Sequence, residues 1–254
     1  MKKNIQILLV FFLALGLSSC VTAPIEPPMY PTQEVYPQAQ VPFVRQDLIH
    51  IVAPGETVWR ISKMYDVQIN DIMRANNLAK PQDLTMGQRL KIPDAAPLRP
   101  VIPLFRSNKW KYIIVHHSAT DEGNALSINS AHNQRGWKGI GYHFIIDNGS
   151  QGKKNGHIEA SPRWIKQLDG AHCKANNMNS RGIGVCLVGN FSKEKVTRKQ
   201  FDSLVYLVNV LRKYYKIPIC NIIGHGQVRG ARTECPGLYF PWNKFITELK
   251  KSGK

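Results

Sequence analysis

Acidic residues are scarce in this chain. Its 254 residues include 17 Asp and Glu against 34 Lys and Arg, which gives a net charge of +17. This excess of positive charge favours an anionic partner: nucleic acid, acidic lipid or an acidic polymer. The hydrophobic share of 43% is that of a globular protein, and the length allows one large domain or two smaller ones.

The apolar stretch near the N-terminus is too short to cross a bilayer as a helix. Its 13 residues, 5–17, follow two lysines and contain one polar side chain, Gln6, which is the pattern of a signal-peptide core. The stretch ends in LSSC (residues 17–20), which resembles the bacterial lipobox. In that family the cysteine, here Cys20, is acylated and becomes the first residue of the mature protein. The alternative is an ordinary signal peptide with a chance cysteine.

Export narrows the choice of partner. We expect a lipid-anchored protein of the cell envelope with a signal peptide at residues 1–19, and such a protein meets little nucleic acid. The residue after the cysteine is Val21 and not Asp. This favours an anchor in the outer membrane, facing the periplasm. We therefore expect no nucleic-acid partner, and we expect a monomer.

Cysteine is also rare, and its five copies need separate roles. Apart from Cys20 they are Cys173, Cys186, Cys220 and Cys235. In an oxidising compartment a disulfide between Cys186 and Cys220 is possible, but both lie in apolar runs and are equally compatible with buried free thiols. The sequence leaves both alternatives open.

Proline spacing divides the rest of the chain. Residues 20–47 carry six prolines and predict an extended tether. Residues 94–107 form a second proline-spaced stretch, which we interpret as a linker. Two folded segments remain, at 48–93 and 108–254.

The segment 48–93 predicts a small module in the order strand, helix, helix, strand. The strands are expected at 48–52 and 89–92, and the second helix at 69–76. Thr57 can cap the first helix, whose apolar face carries Val58, Ile61 and Tyr65.

Three motifs in this segment, PGETVWRI (54–61), ANNL (75–78) and MGQRLKIP (86–93), look like a LysM domain. That resemblance implies a βααβ fold that binds N-acetylglucosamine-containing glycans in a shallow groove between two loops. The implied groove residues are Gly55, Glu56, Thr57, Asn77, Leu78 and Ala79. The alternative is that these residues only cap and turn.

The segment 108–254 alternates buried strands with helices. Continuous apolar runs predict strands at 112–115, 141–146, 183–189 and 218–223. A long helix is expected after Thr197, which forms a capping-box pair with Gln200. We therefore predict an α/β domain with a mixed central sheet flanked by helices.

Metal-ligand side chains stand at the ends of two predicted strands. His116 and His117 close the first strand, His225 closes the last, and Cys235 follows ten residues later. Two imidazoles and a thiolate leave one tetrahedral position open, as in catalytic zinc sites. Taken alone, these three residues are weak evidence for a zinc site, because scattered histidines are more often structural.

The motifs around these residues strengthen the interpretation as a zinc site. In order they are VHHSAT (115–120), GW (136–137), GYHFII (141–146), GAH (170–172), IGV (183–185), GH (224–225) and CPG (235–237). Together they look like the zinc N-acetylmuramoyl-L-alanine amidases related to peptidoglycan recognition proteins and phage amidases. The resemblance runs over residues 110–242.

This resemblance implies particular roles for particular residues. The zinc ligands are His116, His225 and Cys235, since strand alternation turns His117 to the other face. Tyr142 orients the water or stabilises the developing oxyanion, Thr233 assists at the tetrahedral intermediate, and His172 lines the substrate groove. Some relatives carry an acidic residue where Cys186 stands, which leaves the general base unassigned.

The implied reaction is hydrolysis of the amide that joins N-acetylmuramic acid to L-alanine of the peptidoglycan stem peptide, with Zn²⁺ as cofactor. Peptidoglycan is the implied partner, and its stem-peptide carboxylates suit a basic protein. Two alternatives remain: a peptidoglycan-binding lipoprotein without catalysis, and an endopeptidase that cuts within the stem peptide.

Overall fold

The computed structural model describes residues 33–35 and 44–251. Cys20, the predicted signal peptide and most of the predicted tether lie outside these ranges. Among the described residues, no helix has both the length and the apolar character needed to cross a membrane. Strand β1 (Gln33–Val35) pairs antiparallel with β4 (Ile102–Leu104), so a short part of the predicted tether forms a strand.

The small module (residues 46–95) has the predicted order of elements. Strands β2 (Gln46–Ile51) and β3 (Arg89–Ala95) are antiparallel and enclose helices α1 (Val58–Tyr65) and α2 (Ile69–Ala75). Thr57 caps α1, because its hydroxyl accepts a hydrogen bond from the backbone N–H of Arg60 at 3.2 Å. The predicted apolar face of α1 is buried against both strands.

The segment between the two modules is packed rather than exposed. Val101 belongs to the core of the small module, whereas Ile102, Leu104 and Phe105 belong to the main core of the large module (residues 108–251). The prolines predict a linker here, but the apolar residues among them are buried. The connection therefore ties the modules together.

The large module contains the mixed sheet that the sequence predicts. Its strand order is β7-β6-β8-β5-β9, with the β6–β7 pair antiparallel and the other pairs parallel. The strands are β5 (Tyr112–His117), β6 (Phe144–Ile146), β7 (Ile158–Ala160), β8 (Gly182–Leu187) and β9 (Ile222–Gly224). The helices are α3 (Ala125–Gln134), α4 (Pro162–Ile165), α5 (Met178–Arg181), α6 (Arg198–Tyr214) and α7 (Trp242–Lys251). The α/β prediction is confirmed.

The two faces of this sheet have different roles. Helices α6 and α7 cover one face, where Ile113 and Val115 of β5 pack in the main core with Leu204 and Phe245. Alternation along β5 sends His116 to the opposite face. Apolar packing on one face therefore leaves the other available for polar chemistry.

Two predicted strands are shorter than expected. Strand β6 begins at Phe144, so Tyr142 precedes it in a bend. Residues 219–221 form a 3₁₀ turn closed by a hydrogen bond from Asn221 N–H to the carbonyl of Pro218, and β9 starts only after it.

The four described cysteines are free thiols. Cys186 is buried and Cys220 is exposed, so the disulfide considered between them is not formed.

Candidate metal centre

The three predicted ligands converge at one point. The donor atoms of His116, His225 and Cys235 all lie within 4.8 Å of one another. Strands β5 and β9 are parallel neighbours, so their carboxyl ends bring both histidines to the same edge of the sheet. Cys235 arrives from the loop before α7, with its Sγ 3.7 Å from Nδ1 of His116.

Backbone contacts hold the cysteine loop against the sheet. The N–H of Gly226 donates to the carbonyl of Cys235 at 2.8 Å, and the N–H of His117 donates to its sulfur at 3.3 Å. A side chain at position 226 would place its Cβ 2.4 Å from the carbonyl oxygen of Thr233, so this close approach requires glycine. The backbone thereby aims the sulfur at the two imidazoles.

His172 determines which nitrogen of His116 faces the ligand cluster. Nε2 of His172 lies 3.1 Å from the carbonyl oxygen of Gly182, and a carbonyl only accepts, so Nε2 carries the proton. Nδ1 of His172 therefore accepts from Nε2 of His116 at 3.0 Å. This leaves the lone pair of His116 Nδ1 directed towards Cys235.

This position corrects the predicted role of His172. The side chain is buried behind His116 and does not line an open groove. Burial lowers the pKa of His172 to about 3, so its ring is neutral near pH 7. A hydrogen bond of this kind fixes the orientation of a metal-ligating histidine.

The donor set fits a zinc ion. Burial, followed by the neighbouring His172 and His225, lowers the pKa of His116 well below its ordinary value, which keeps the imidazole neutral. Burial raises the pKa of the Cys235 thiol to about 12, so a thiolate there needs a cation beside it. Two neutral imidazoles and one thiolate are the nitrogen and sulfur ligands that Zn²⁺ takes.

Tyr142, for which the resemblance implies a catalytic role, lies beside the cluster. Its ring centroid is 5.1 Å from that of His116. Burial raises the pKa of Tyr142 well above its ordinary value, so the hydroxyl remains a donor. Cys186 is the register partner of His116 on β8, and burial raises the pKa of this thiol too, so it is not a base near neutral pH.

Thr233 supports the loop that carries the cysteine. Its Oγ1 accepts a hydrogen bond from the backbone N–H of Cys235 at 3.2 Å, and the residue is otherwise exposed. This contact identifies Thr233 as a positioning residue for the ligand. His117, as predicted by alternation, faces away, with Nδ1 accepting from the N–H of Phe191 at 3.1 Å.

The predicted sugar-binding residues of the small module have different environments. Glu56 does not fit the role, because its side chain is only 1% exposed and accepts from the N–H of Ala53 at 2.7 Å. Thr57 caps α1, and Gly55 has a positive φ of 82°. The second loop is more open: Asn77 and Ala79 are exposed and Leu78 is half-buried.

A second group of metal-type ligands is an ion cluster. Donor atoms of Asp147, His157 and Glu159 lie within 4.8 Å of one another, but the ammonium group of Lys153 lies 2.8 Å from Glu159. Burial, together with Glu159, raises the pKa of Asp147 well above its ordinary value. The raised pKa favours the neutral form of Asp147, and Lys153 balances the charge of Glu159. Sequence reasoning missed it, because Asp147, Lys153 and Glu159 form no motif with a distinctive spacing.

Comparison with known proteins places both modules in families. Residues 106–238 match the family described as N-acetylmuramoyl-L-alanine amidase, and residues 50–93 match the LysM domain. Peptidoglycan-recognition protein SC2 of Drosophila melanogaster is 30% identical over 154 residues, which cover 56% of this chain and 75% of that protein. The endolysin of Escherichia phage T7 is 37% identical over 111 residues, which cover 40% of this chain and 67% of the endolysin. Among solved structures, N-acetylmuramoyl-L-alanine amidase LysC from Clostridium intestinale is 35% identical with a TM-score of 0.47, over 57% of this chain and 89% of that one.

Proposed function

This chain belongs to the N-acetylmuramoyl-L-alanine amidase family and contains a LysM domain, and on that premise we propose that it is a zinc-dependent peptidoglycan hydrolase. Its reaction would be cleavage of the amide between N-acetylmuramic acid and L-alanine of the stem peptide. The observation that carries the proposal is the convergence of His116, His225 and Cys235. Two neutral imidazoles and a thiolate are a donor set suited to catalytic zinc.

The residues around the site have distinct tasks in this hydrolysis. A zinc ion held by the three ligands would supply Lewis acidity, which activates water and polarises a carbonyl. His172 holds the ring of His116 through the 3.0 Å hydrogen bond. Tyr142, whose hydroxyl stays protonated because burial raises its pKa, would donate a hydrogen bond to the developing oxyanion.

The overall reaction balances without a further reactant. The oxygen of water forms the new bond to the carbonyl carbon, and the carbon–nitrogen bond of the amide breaks. The departing nitrogen takes both protons of the water, which leaves a carboxylate on the sugar's lactyl group and a protonated amino group on L-alanine. The basic surface of a chain with net charge +17 suits a polymer whose peptides carry carboxylates.

We expect the purified protein to release intact stem peptides from peptidoglycan, and we expect a chelator to stop this and added zinc to restore it. Mass spectrometry of the digest identifies the bond. Cys235→Ser should reduce release to background, and Tyr142→Phe should lower kcat by about 10²-fold, the typical effect of losing one oxyanion donor.

Each alternative function has its own signature in that experiment. Fragments cut inside the stem peptide would identify an endopeptidase. An intact polymer that nevertheless binds the protein would identify a recognition protein. Full activity of the Cys235→Ser protein would remove the proposed ligand set.

We propose in addition that Cys20 is acylated and anchors the chain in the outer membrane, facing the periplasm. Support comes from the lysines, the 13-residue apolar stretch and the LSSC motif in order, all outside the described residues. The anchor would hold the hydrolase near its polymeric substrate.

A further inference from the structure

The segment that carries Tyr142 has no regular secondary structure of its own. Residues 137–143 lie between α3 and β6, and Tyr142 lies in a bend just before the strand begins. A backbone N–H outside a helix or a sheet needs another acceptor, because a buried N–H without one is costly. The orientation of Tyr142 therefore depends on the contacts that hold this segment.

Three consecutive backbone N–H groups of this segment donate to side chains of α3. The acceptors are positions 129, 132 and 133, which lie on one face of the helix. The pairs are Gly139 N–H with Oδ1 of Asn133 at 2.8 Å, Ile140 N–H with Oδ1 of Asn129 at 3.3 Å, and Gly141 N–H with Nδ1 of His132 at 3.0 Å. Helix α3 thus fixes the backbone that leads into Tyr142.

His132 is the acceptor that holds the residue directly before Tyr142. It is 6% exposed, whereas Asn133 is exposed, so water can replace the bond to Asn133 more readily than the bond to His132. Since Nδ1 of His132 accepts, the ring proton is on Nε2. Burial, followed by Arg135 and Arg163, lowers the pKa of His132 to about 4. The ring is therefore neutral near pH 7 and keeps this acceptor.

Gly141 is held through both of its backbone polar groups. Its carbonyl accepts from the N–H of Ala171 at 2.9 Å. A side chain at position 141 would place its Cβ 2.6 Å from the carbonyl oxygen of Ala171, so this close approach requires glycine. The carbonyl of Tyr142 accepts from the hydroxyl of Ser161 at 2.7 Å. The backbone is therefore fixed on both sides of the Tyr142 side chain, by His132 through Gly141 before it and by Ser161 after it.

The ring of His132 also lies close to the ring of Tyr142. Their centroids are 5.6 Å apart, and the ring of Tyr142 lies in turn beside the proposed zinc ligand His116. One buried histidine thus contacts Tyr142 through its ring and fixes the preceding backbone through Nδ1.

We propose that His132 is a positioning residue for the hydrolysis, which by holding Gly141 directs the hydroxyl of Tyr142 towards the developing oxyanion. The inference rests on the proposed function for the identity of the reaction. Catalytic groups contribute fully only when they are correctly placed, and a displacement of about 1 Å can cost about 10²-fold in rate.

Replacing His132 in the full chain tests the inference by the rate of stem-peptide release with zinc present. His132→Leu fills the buried position but removes the acceptor, so kcat should fall about tenfold, in the range for one lost hydrogen bond, with KM unchanged. His132→Asn should keep most of kcat, because its Oδ1 can take the place of Nδ1. Thermal melting checks that each variant is folded.

Gln134→Leu is the matched control. Gln134 is exposed on the same helix and supplies none of the three acceptors, so kcat should stay at the unaltered value. Zinc affinity should be unchanged in His132→Leu, because His172 rather than His132 accepts from the ligand His116.

A double replacement separates positioning from a general structural role. Because His132 is proposed to act through the hydroxyl of Tyr142, His132→Leu should change kcat little in a Tyr142→Phe background, where that hydroxyl is already gone. The same tenfold loss in both backgrounds, or full kcat in His132→Leu alone, overturns the inference.

Hydrogen exchange of the Gly141 amide gives a readout that needs no turnover. NMR should show protection in the unaltered chain and in His132→Asn, and its loss in His132→Leu. A Gly141 amide that exchanges equally fast in the unaltered chain and in the leucine variant overturns the inference whatever the activity. A protected amide in a chain that releases no stem peptide contradicts the proposed function alone.

Discussion

At the residue scale, His116 depends on a neighbour for its chemistry. The carbonyl of Gly182 orients His172, and His172 accepts the Nε2 proton of His116. The lone pair on Nδ1 of His116 is therefore available before any metal arrives. Removing such an outer hydrogen-bond partner typically lowers metal affinity by about 10- to 100-fold.

Replacing His172 tests whether its hydrogen bond orients His116. His172→Leu removes the acceptor and should weaken zinc affinity by about 10- to 100-fold, measured by competition with a chromophoric chelator. His172→Asn should retain most of the affinity, because its side-chain oxygen can occupy the place of Nδ1. Equal affinities in the leucine variant and the unaltered protein would show that His116 is oriented by other contacts.

At the scale of elements, the loop between β6 and β7 joins the modules through a buried lysine. Lys153 contacts Glu159 of β7 at 2.8 Å and the carbonyl of Ile51 at the end of β2 at 2.8 Å. Burial lowers the pKa of Lys153, but Glu159 and Glu56 raise it more, and the net shift is upward. The charged lysine therefore stabilises the fold at neutral pH, and this contribution is lost only as the pH rises above the ordinary lysine range.

Lys153→Met should lower the free energy of unfolding by about 3–5 kcal/mol, because it leaves buried carboxylates without their counter-charge. Denaturant unfolding at pH 7 measures the change. Lys154→Met is the matched control: this neighbour is exposed, and its replacement should stay within about 0.5 kcal/mol. Equal stabilities for the two variants would mean that the ion cluster contributes nothing.

At the scale of the whole molecule, the LysM domain and the large module pack against each other. The packed connection and the shared cluster around Ala53 join the LysM domain to the large module, so the two modules pack as one unit. An N-terminal lipid would place this unit beside a membrane. Residues 36–43 of the predicted tether lie outside the described part of the chain.

Lipid anchoring predicts a difference between two cysteines. In a bacterial host fed labelled palmitate, the unaltered chain should carry label and sediment with membranes. Cys20→Ser should lose both properties, because the acceptor thiol is gone. Cys220→Ser, which replaces an exposed free thiol, should keep both. Label retained by the Cys20→Ser protein would contradict the lipobox assignment.

Much of the fold follows from local patterns in the sequence. The βααβ order, the cap at Thr57, the start of α6 after Thr197 and the strand at β5 are predicted correctly, because periodicity and capping act within a few residues. The sequence does not predict that Tyr142 lies in a bend before β6, because the start of β6 depends on its pairing with neighbouring strands.

The sequence by itself determined the two families and the three donor residues, because motifs in order carry that information. Only the tertiary structure decided that His172 supports His116 across 56 positions, that Glu56 is buried, and that the proline-spaced connection packs into both cores. These outcomes depend on contacts between distant segments, and burial changes what a polar side chain can do. The three candidate donors can be read from the sequence, and the contacts that orient them exist only in the folded chain.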